Sequence, residues 1–205
     1  IATNADTARS VFAADMDGDG DMDIVSASLN DNTIAWYENN GASDPSWAAS
    51  DIATSANGAF SVFVADMDGD GDMDIVSASV NDDTIAWYEN NGAADPTWAA
   101  ADIATSADGA RSVFVADMDG DGDMDIVSAS TLDNTIAWYE NNGAADPSWT
   151  AANIATSADT AKSVFAADMD GDGDMDIVSA SSGDDTIAWY ENDGAADPSW
   201  AASDI

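Results

Sequence analysis

The 205-residue chain has no cysteine and no histidine, and its only basic residues are Arg9, Arg111 and Lys162. Without cysteine there is no disulfide framework, and without cysteine or histidine there is no thiolate or imidazole metal site. Mechanisms that need a histidine base or a cysteine nucleophile are excluded as well. No apolar run approaches the ~18 residues of a membrane span, so membrane insertion is not expected. The scarcity of positive charge leaves a net charge of −38. Such a surface repels phosphate backbones and anionic lipid, which argues against nucleic acid as a partner. No stretch carries a helical period long enough to compete with strands. The chain starts at Ile1, in the middle of a repeat and not at Met, and reads as a mature or excised fragment or a designed consensus from which a targeting segment can be missing.

What the chain does contain is repetition. The string DMDGDGDMD occurs at Asp15–Asp23, Asp66–Asp74, Asp117–Asp125 and Asp168–Asp176, with starts 51 residues apart. The repeat divides residues 1–205 into four units, 1–51, 52–102, 103–153 and 154–204. Units of this size seldom bury a core alone and share one with their neighbours, so the chain reads as one propeller or half-propeller.

Within a unit, Ser10-Val-Phe-Ala-Ala-Asp15 reads as a strand entering the acidic loop, and Asp23-Ile-Val-Ser-Ala-Ser28 as a strand leaving it. Asn30-Asp-Asn32 is a turn signal. Thr33-Ile-Ala-Trp-Tyr-Glu38 is a third strand, with Ile34 and Trp36 on one face and Ala35 and Tyr37 on the other. After the turn chemistry of residues 39–45, Trp47 to Thr54 forms a weaker, Ala-rich fourth strand. Four short strands per unit and no helix imply an all-β fold of four-stranded antiparallel blades, four per chain, arranged as a β-propeller.

The acidic loop carries carboxylates at alternate positions. Only four of the 41 acidic residues are Glu, and each nine-residue loop holds five Asp. Hard oxygen ligands on a flexible acidic loop select Ca²⁺ over Zn²⁺ or Mg²⁺. An EF-hand is excluded, because its closing position would be Ser26 rather than Glu and a β-rich segment follows. The expected side-chain ligands are Asp15, Asp17, Asp19 and Asp23, with Asp21 contributing its backbone carbonyl. The same assignment gives Asp66, Asp68, Asp70, Asp72 and Asp74 in the second unit. In the third it gives Asp117, Asp119, Asp121, Asp123 and Asp125, and in the fourth Asp168, Asp170, Asp172, Asp174 and Asp176. One calcium per repeat is expected, four per chain. The plain alternative, a solvated acidic turn, leaves five like charges unrelieved.

The string V-F-x-A-D-M-D-G-D-G-D-M-D-I-V followed by T-I-A-W-Y-E-N resembles the FG-GAP or VCBS repeats of integrin-α-like β-propellers, and the resemblance covers all four units. It implies calcium in the loop joining the first two strands of a blade, and adhesion, lectin or surface-display roles outside the cell. The chain departs from that family in number, since its propellers commonly have seven blades.

The differences between units concentrate at one position, occupied by Arg9, Phe60, Arg111 and Lys162. These four could line a ligand-binding face. They could equally be drift in exposed turns, or counter-charges for an acidic ring. Each unit has two Trp, the first of each pair (Trp36, Trp87, Trp138 and Trp189) suited to blade-to-blade packing and the second (Trp47, Trp98, Trp149 and Trp200) to core as well. Glu38, Glu89, Glu140 and Glu191 recur identically, and four equivalent copies argue against a catalytic carboxylate pair.

The expectation is a calcium-stabilised, non-catalytic binding or scaffold module, extracellular or on the cell surface. The alternatives are a lectin that binds glycans at top-face or inter-blade pockets and, more remotely, an enzyme-associated propeller domain. Protein or glycan ligands fit either binding role. Closure is expected through a homodimer that joins two chains into an eight-bladed ring, with a four-blade monomer as the alternative.

Overall fold

The computed structural model describes residues 1–205 and contains sixteen β-strands and no helix. Sheet 1 consists of β1 (Ala8–Ala14), β2 (Asp23–Ser28), β3 (Thr33–Asn39) and β4 (Trp47–Ala53). Sheet 2 consists of β5 (Ala59–Ala65), β6 (Asp74–Ser79), β7 (Thr84–Asn90) and β8 (Trp98–Ala104). Sheet 3 consists of β9 (Ala110–Ala116), β10 (Asp125–Ser130), β11 (Thr135–Asn141) and β12 (Trp149–Ala155), and sheet 4 of β13 (Ala161–Ala167), β14 (Asp176–Ser181), β15 (Thr186–Asn192) and β16 (Trp200–Asp204). In every sheet the strands pair antiparallel in chain order, which is the up-and-down blade of a propeller. Each repeat unit supplies most of one sheet, but β4, β8 and β12 end at Ala53, Ala104 and Ala155, two residues past the unit boundaries at 51, 102 and 153.

The local reasons are visible in the turns and the register. The β2–β3 turn needs a residue in the left-handed region, and Asn32, Asp83, Asn134 and Asp185 occupy it with φ between 58° and 61°. Asn and Asp tolerate that conformation better than other side chains. The pairings Ile24↔Tyr37 and Val25↔Trp36 place Ile24 with Tyr37 on one face and Val25 with Trp36 on the other, as the period-two pattern requires.

β1 begins at Ala8, two residues before the expected start at Ser10, because its ladder passes over a bulge. Ala8 pairs with Ser28 and Ser10 with Ala27, leaving Arg9 as the extra residue. Phe60, Arg111 and Lys162 occupy the same bulge in the other sheets. A bulge turns its side chain away from the regular alternation, so a charged or bulky residue there does not disturb the packed faces.

The chain divides into two compact units. One comprises Ile1–Asp66 with Asp70–Ser106, the other Met67–Gly69 with Ala107–Ile205. In the first unit, Val25, Ala27, Ile34 and Trp36 of sheet 1 pack against Val62, Val64, Ile75 and Tyr88 of sheet 2. In the second, Val127, Ala129, Ile136 and Trp138 of sheet 3 pack against Val164, Ala166, Ile177 and Tyr190 of sheet 4. Each junction thus joins two unlike faces. Aromatic pairs reinforce them, Phe12 with Phe63 at 4.8 Å and Phe114 with Phe165 at 4.6 Å between ring centroids. The first Trp of each repeat is core in sheets 1 to 3, and Trp98 and Trp200 pack on the two cores from the fourth strands.

Polar bonds fix the register of the junctions. The Asn90 side-chain amide donates to the Met16 carbonyl at 2.8 Å, and Asn192 does the same to Met118 at 2.7 Å. The Val62 and Val164 N–H groups donate to Ser10 and Ser112 Oγ, each at 3.3 Å. Asn39, the equivalent in sheet 1, reaches only its own loop, at the Met22 carbonyl.

Asn90→Ala should therefore cost more than Asn39→Ala. The first removes a buried bond to a second sheet and leaves the Met16 carbonyl unpaired, for a loss of about 2–4 kcal/mol, and the second should cost about 1 kcal/mol. Urea denaturation midpoints of the two variants check the difference.

Candidate metal centre

Each acidic loop lies between the first two strands of its sheet. Its glycines make the wrap possible: Gly18 and Gly20 have φ of +74° and +94°, a region that L side chains rarely adopt. The backbone N–H groups then turn inward. Asp15 Oδ1 accepts from Gly18 and Asp19 at 2.9 and 3.1 Å, and Asp15 Oδ2 accepts from Gly20 at 2.9 Å. Asp17 accepts from the Asp19 N–H, and Asp19 from the Asp21 N–H. Carboxylates held in this way meet a cation with little rearrangement.

Three of the five carboxylates in each loop converge. Asp15, Asp17 and Asp19 each offer an oxygen, all within 4.8 Å of one another, and so do Asp66, Asp68 and Asp70; Asp117, Asp119 and Asp121; and Asp168, Asp170 and Asp172. Burial raises the Asp17, Asp119 and Asp170 carboxyls above the ordinary range, and the neighbouring carboxylates push the same way against one backbone N–H bond. Three oxygens of like charge at this spacing suit a hard cation.

The other two positions have different surroundings. The Asp21 side chain lies over the connection between β3 and β4, where a Cβ on Gly41 would come within 2.0 Å of Asp21 Oδ2. Asp72, Asp123 and Asp174 cover Gly92, Gly143 and Gly194 in the same way. Asp23 is buried, and its two oxygens accept from the Met16 N–H at 3.1 Å and the Asn39 N–H at 2.7 Å. Asp125 does the same with Met118 and Asn141, and Asp176 with Met169 and Asn192. Asp74 accepts from the Asn90 N–H at 2.7 Å. The ninth position therefore closes the loop on the backbone.

Sequence reasoning missed Met16, Met67 and Met118. They are buried to 1–2% exposure inside acidic strings, whereas Met22, Met73 and Met124 of the same strings are exposed. The only signal was that an apolar residue recurs at the second loop position.

The variable positions lie at the opposite end of the sheet. The loop leading into β1 bonds to the β2–β3 turn, through Leu29 N–H to the Thr7 carbonyl and Asn30 N–H to the Asp6 carbonyl. Within the first unit the Arg9 guanidinium sits 5.1 Å from the Phe60 ring centroid. Within the second, burial and the charge of neighbouring Arg111 both lower the Lys162 pKa. The four bulge residues are thus brought together in pairs.

Burial pushes the Asp125 carboxyl up to about 7, although its bonds from Asn141 and Met118 favour the charged form. The Trp138 indole also favours the charged form, but it falls short of hydrogen-bond geometry. An unfolded Asp titrates near 4, so between about 4 and 7 the folded chain holds a proton that the unfolded chain has released. This group's contribution to stability should fall as pH rises through that window in metal-free protein. Chelator-treated samples compared at about pH 5 and 7.5 should show the lower urea midpoint at 7.5, and Asp125→Asn should shrink the difference.

No curated protein sequence matches the chain. Among solved structures it is similar to a protein from Lactobacillus plantarum, with a TM-score of 0.56 and 16% identity over 89% of this chain and 54% of that one. It is also similar to the V. cholerae biofilm matrix protein Bap1, with a TM-score of 0.44 and 20% identity over 98% of this chain and 39% of that one. The chain thus spans about half the length of the first of these proteins and less of the second. The model of the FG-GAP-like repeat matches residues 15–77, 68–128, 118–179 and 168–204, each match but the last running from one acidic loop through the next. With four such repeats along its length, the chain belongs to the FG-GAP-like repeat family.

Proposed function

We propose that this chain is a calcium-stabilised, non-catalytic binding or scaffold module that works outside the cell. The observation that carries the reading is the Asp triad of each repeat, three carboxylates converging on one point. Calcium at that point would neutralise charge that the loop otherwise holds at a cost, and would pin the first two strands of the sheet together. Asp15, Asp17 and Asp19, with their counterparts in the other repeats, would hold the ion. The Asp21 carbonyl is the further donor expected from the loop, and Asp23 shapes the loop rather than meeting the ion alone. The triads are half-exposed or exposed, which suits weak sites of about 10⁻⁴–10⁻³ M. Such sites fill in extracellular calcium and stay empty at cytosolic levels.

Chelation should lower the melting temperature, because calcium binds the folded loop better than the unfolded chain. A tenfold excess over Kd should contribute about 1.4 kcal/mol per site. Calorimetry with calcium and with chelator checks this, and identical melting curves would refute the structural role of the ion. Two variants separate the roles within a loop. Asp70→Asn should weaken calcium uptake and leave chelated stability nearly unchanged. Asp74→Asn should lower stability even in chelator, because it weakens a buried acceptor of the Asn90 N–H. Titration calorimetry and urea denaturation of both variants read the two effects separately.

A glycan-binding reading is favoured by one further observation. Beside the first two acidic loops there is a cleft of about 460 Å³, lined by Phe12, Met16, Met22, Val64 and Met73 together with Asp15 and Asp72. Apolar surface next to calcium-ready carboxylates suits the face and hydroxyls of a sugar, and a glycan array in calcium tests it.

A further inference from the structure

A second cavity lies inside the first compact unit, at the end of the sheets opposite the acidic loops. It has a volume of about 250 Å³. The end of β4 and the β4–β5 connection bound it on one side, and β7, β8 and the β6–β7 turn on the other. Its apolar wall consists of the methyl groups of Ala53, Ala56, Ala86 and Ala100. Its polar wall includes Asp82, Asp102 and Tyr88. None of the three basic residues of the chain lines it.

The polar wall is short of partners. Asp82 Oδ2 accepts from the Asn57 N–H at 3.1 Å, but Asp82 Oδ1 is buried and accepts from nothing. Tyr88 is 5% exposed and lines the cavity. In sheets 1 and 4 a serine donates to the equivalent hydroxyl, Ser26 to Tyr37 and Ser179 to Tyr190, each at 3.4 Å. In sheet 2 that bond is open, since Ser77 is fully buried and its Oγ has no partner. Burial raises the Tyr88 pKa and the Asp102 and Asp82 charges raise it further, while Ser77 opposes them from a position short of hydrogen-bond geometry. Both carboxylates therefore bear on one hydroxyl. Sheet 3 also has an unpartnered serine, Ser128, but Asn153 stands there in the place of Asp102. Sheet 2 alone combines the open serine with both carboxylates. Buried polar atoms without partners cost free energy that a donor entering the cavity would recover.

We propose that this cavity binds the head of a small primary alkylammonium ion. The ammonium donates to Asp82 Oδ1 and to the Tyr88 hydroxyl, Asp102 supplies a second negative charge, and the methylene stem lies along the alanine methyls. An ammonium carries three donors and no acceptor, which matches a wall of unpaired acceptors. The volume is that of about eight waters at ~30 Å³ each, enough for such an ion and too little for an oligosaccharide. A divalent metal fits less well. Only two carboxylates line the cavity, and the groups of three that suit a metal all lie in the acidic loops. The cavity shares no residue with those triads, so it does not depend on calcium there. The net charge of −38 draws cations toward such a wall. The same head group is found on a free alkylamine and on a lysine side chain.

Titration calorimetry of the full chain with n-butylammonium chloride tests the site, in saturating calcium and about 0.15 M salt, which screens diffuse attraction. One saturable site per chain is expected. Tyr88→Phe should weaken it about tenfold, and Asp102→Asn about threefold. Both variants should keep the wild-type circular dichroism spectrum, and Asn153 already occupies the place of Asp102 in sheet 3. Asp44→Asn removes one charge at an exposed position outside the cavity and should leave binding unchanged. An acetylated, amidated lysine separates the two sources: binding at least as tight as butylammonium marks a lysine side chain, and weaker binding marks a free amine. No saturable heat up to about 20 mM overturns the proposal, the case of calcium filling the cavity included. Binding that Tyr88→Phe leaves unchanged overturns it, as does equal weakening by Asp44→Asn and Asp102→Asn, which marks diffuse charge attraction. Butanol binding as tightly as butylammonium also overturns it, because the cavity then reads the stem and not the charge.

Discussion

Each compact unit of this chain is held together where two sheets meet through unlike apolar faces. The face bearing Val25, Ile34 and Trp36 is bulky, and the face bearing Val62, Ile75 and Tyr88 of the next sheet receives it. Burying such a face contributes roughly 25 cal/mol per Å² of apolar area. A single four-stranded sheet of about 50 residues has no second layer of its own with which to gain this. Small residues of the first strands, such as Ala59 and Ala161, let the sheets approach closely. The Asn and Ser bonds add little net energy by comparison, but they set the register, because a slipped junction would leave buried carbonyls without donors.

The acidic loop is tied to this junction rather than appended to it. Asp23 accepts from the Met16 N–H, the Met16 side chain is buried in the core between the sheets, and the Met16 carbonyl accepts from Asn90 of the neighbouring sheet. Asn90 in turn has its own N–H on Asp74, which closes the next loop. The same series runs through Asp125, Met118, Asn192 and Asp176. Loop geometry and sheet stacking therefore share residues, and a change in one is felt in the other.

Much of this architecture was legible in the residues. The repeat located all four sheets, and the alternation in Thr33–Asn39 separated Ile34 and Trp36 from Ala35 and Tyr37 as the register later did. The loop leading into β1 and the β2–β3 turn share an end of the sheet, as an up-and-down blade requires. The triads come from alternate positions of one loop, which is local information. What could not be read was tertiary. Spacing alone does not tell whether a carboxylate such as Asp23 faces an ion or the backbone, because that depends on Asn39, sixteen residues away. Nor does it distinguish Met16 from Met22, since a neighbouring sheet buries only the first. The bulge at Arg9 was hidden for a related reason. It appears only when two strands are paired, and a lone charged residue before an apolar run looks like the end of the strand.

The bulge also explains why variation gathers where it does. In a junction that repeats from unit to unit, a substitution on a packed face must suit the unlike face opposite, so two positions are constrained at once. A bulge residue lies outside the alternation and meets mainly its counterpart in the next sheet. Arg9 over the Phe60 ring and Lys162 beside Arg111 show that the position accepts a cation–π pair and a pair of like charges within one fold. The like-charged pair sits in a chain whose net charge of −38 offsets it. Selection for a ligand and freedom from packing would both act most easily at this position. The faces and the loops, by contrast, are held in common by the stacking that covers them.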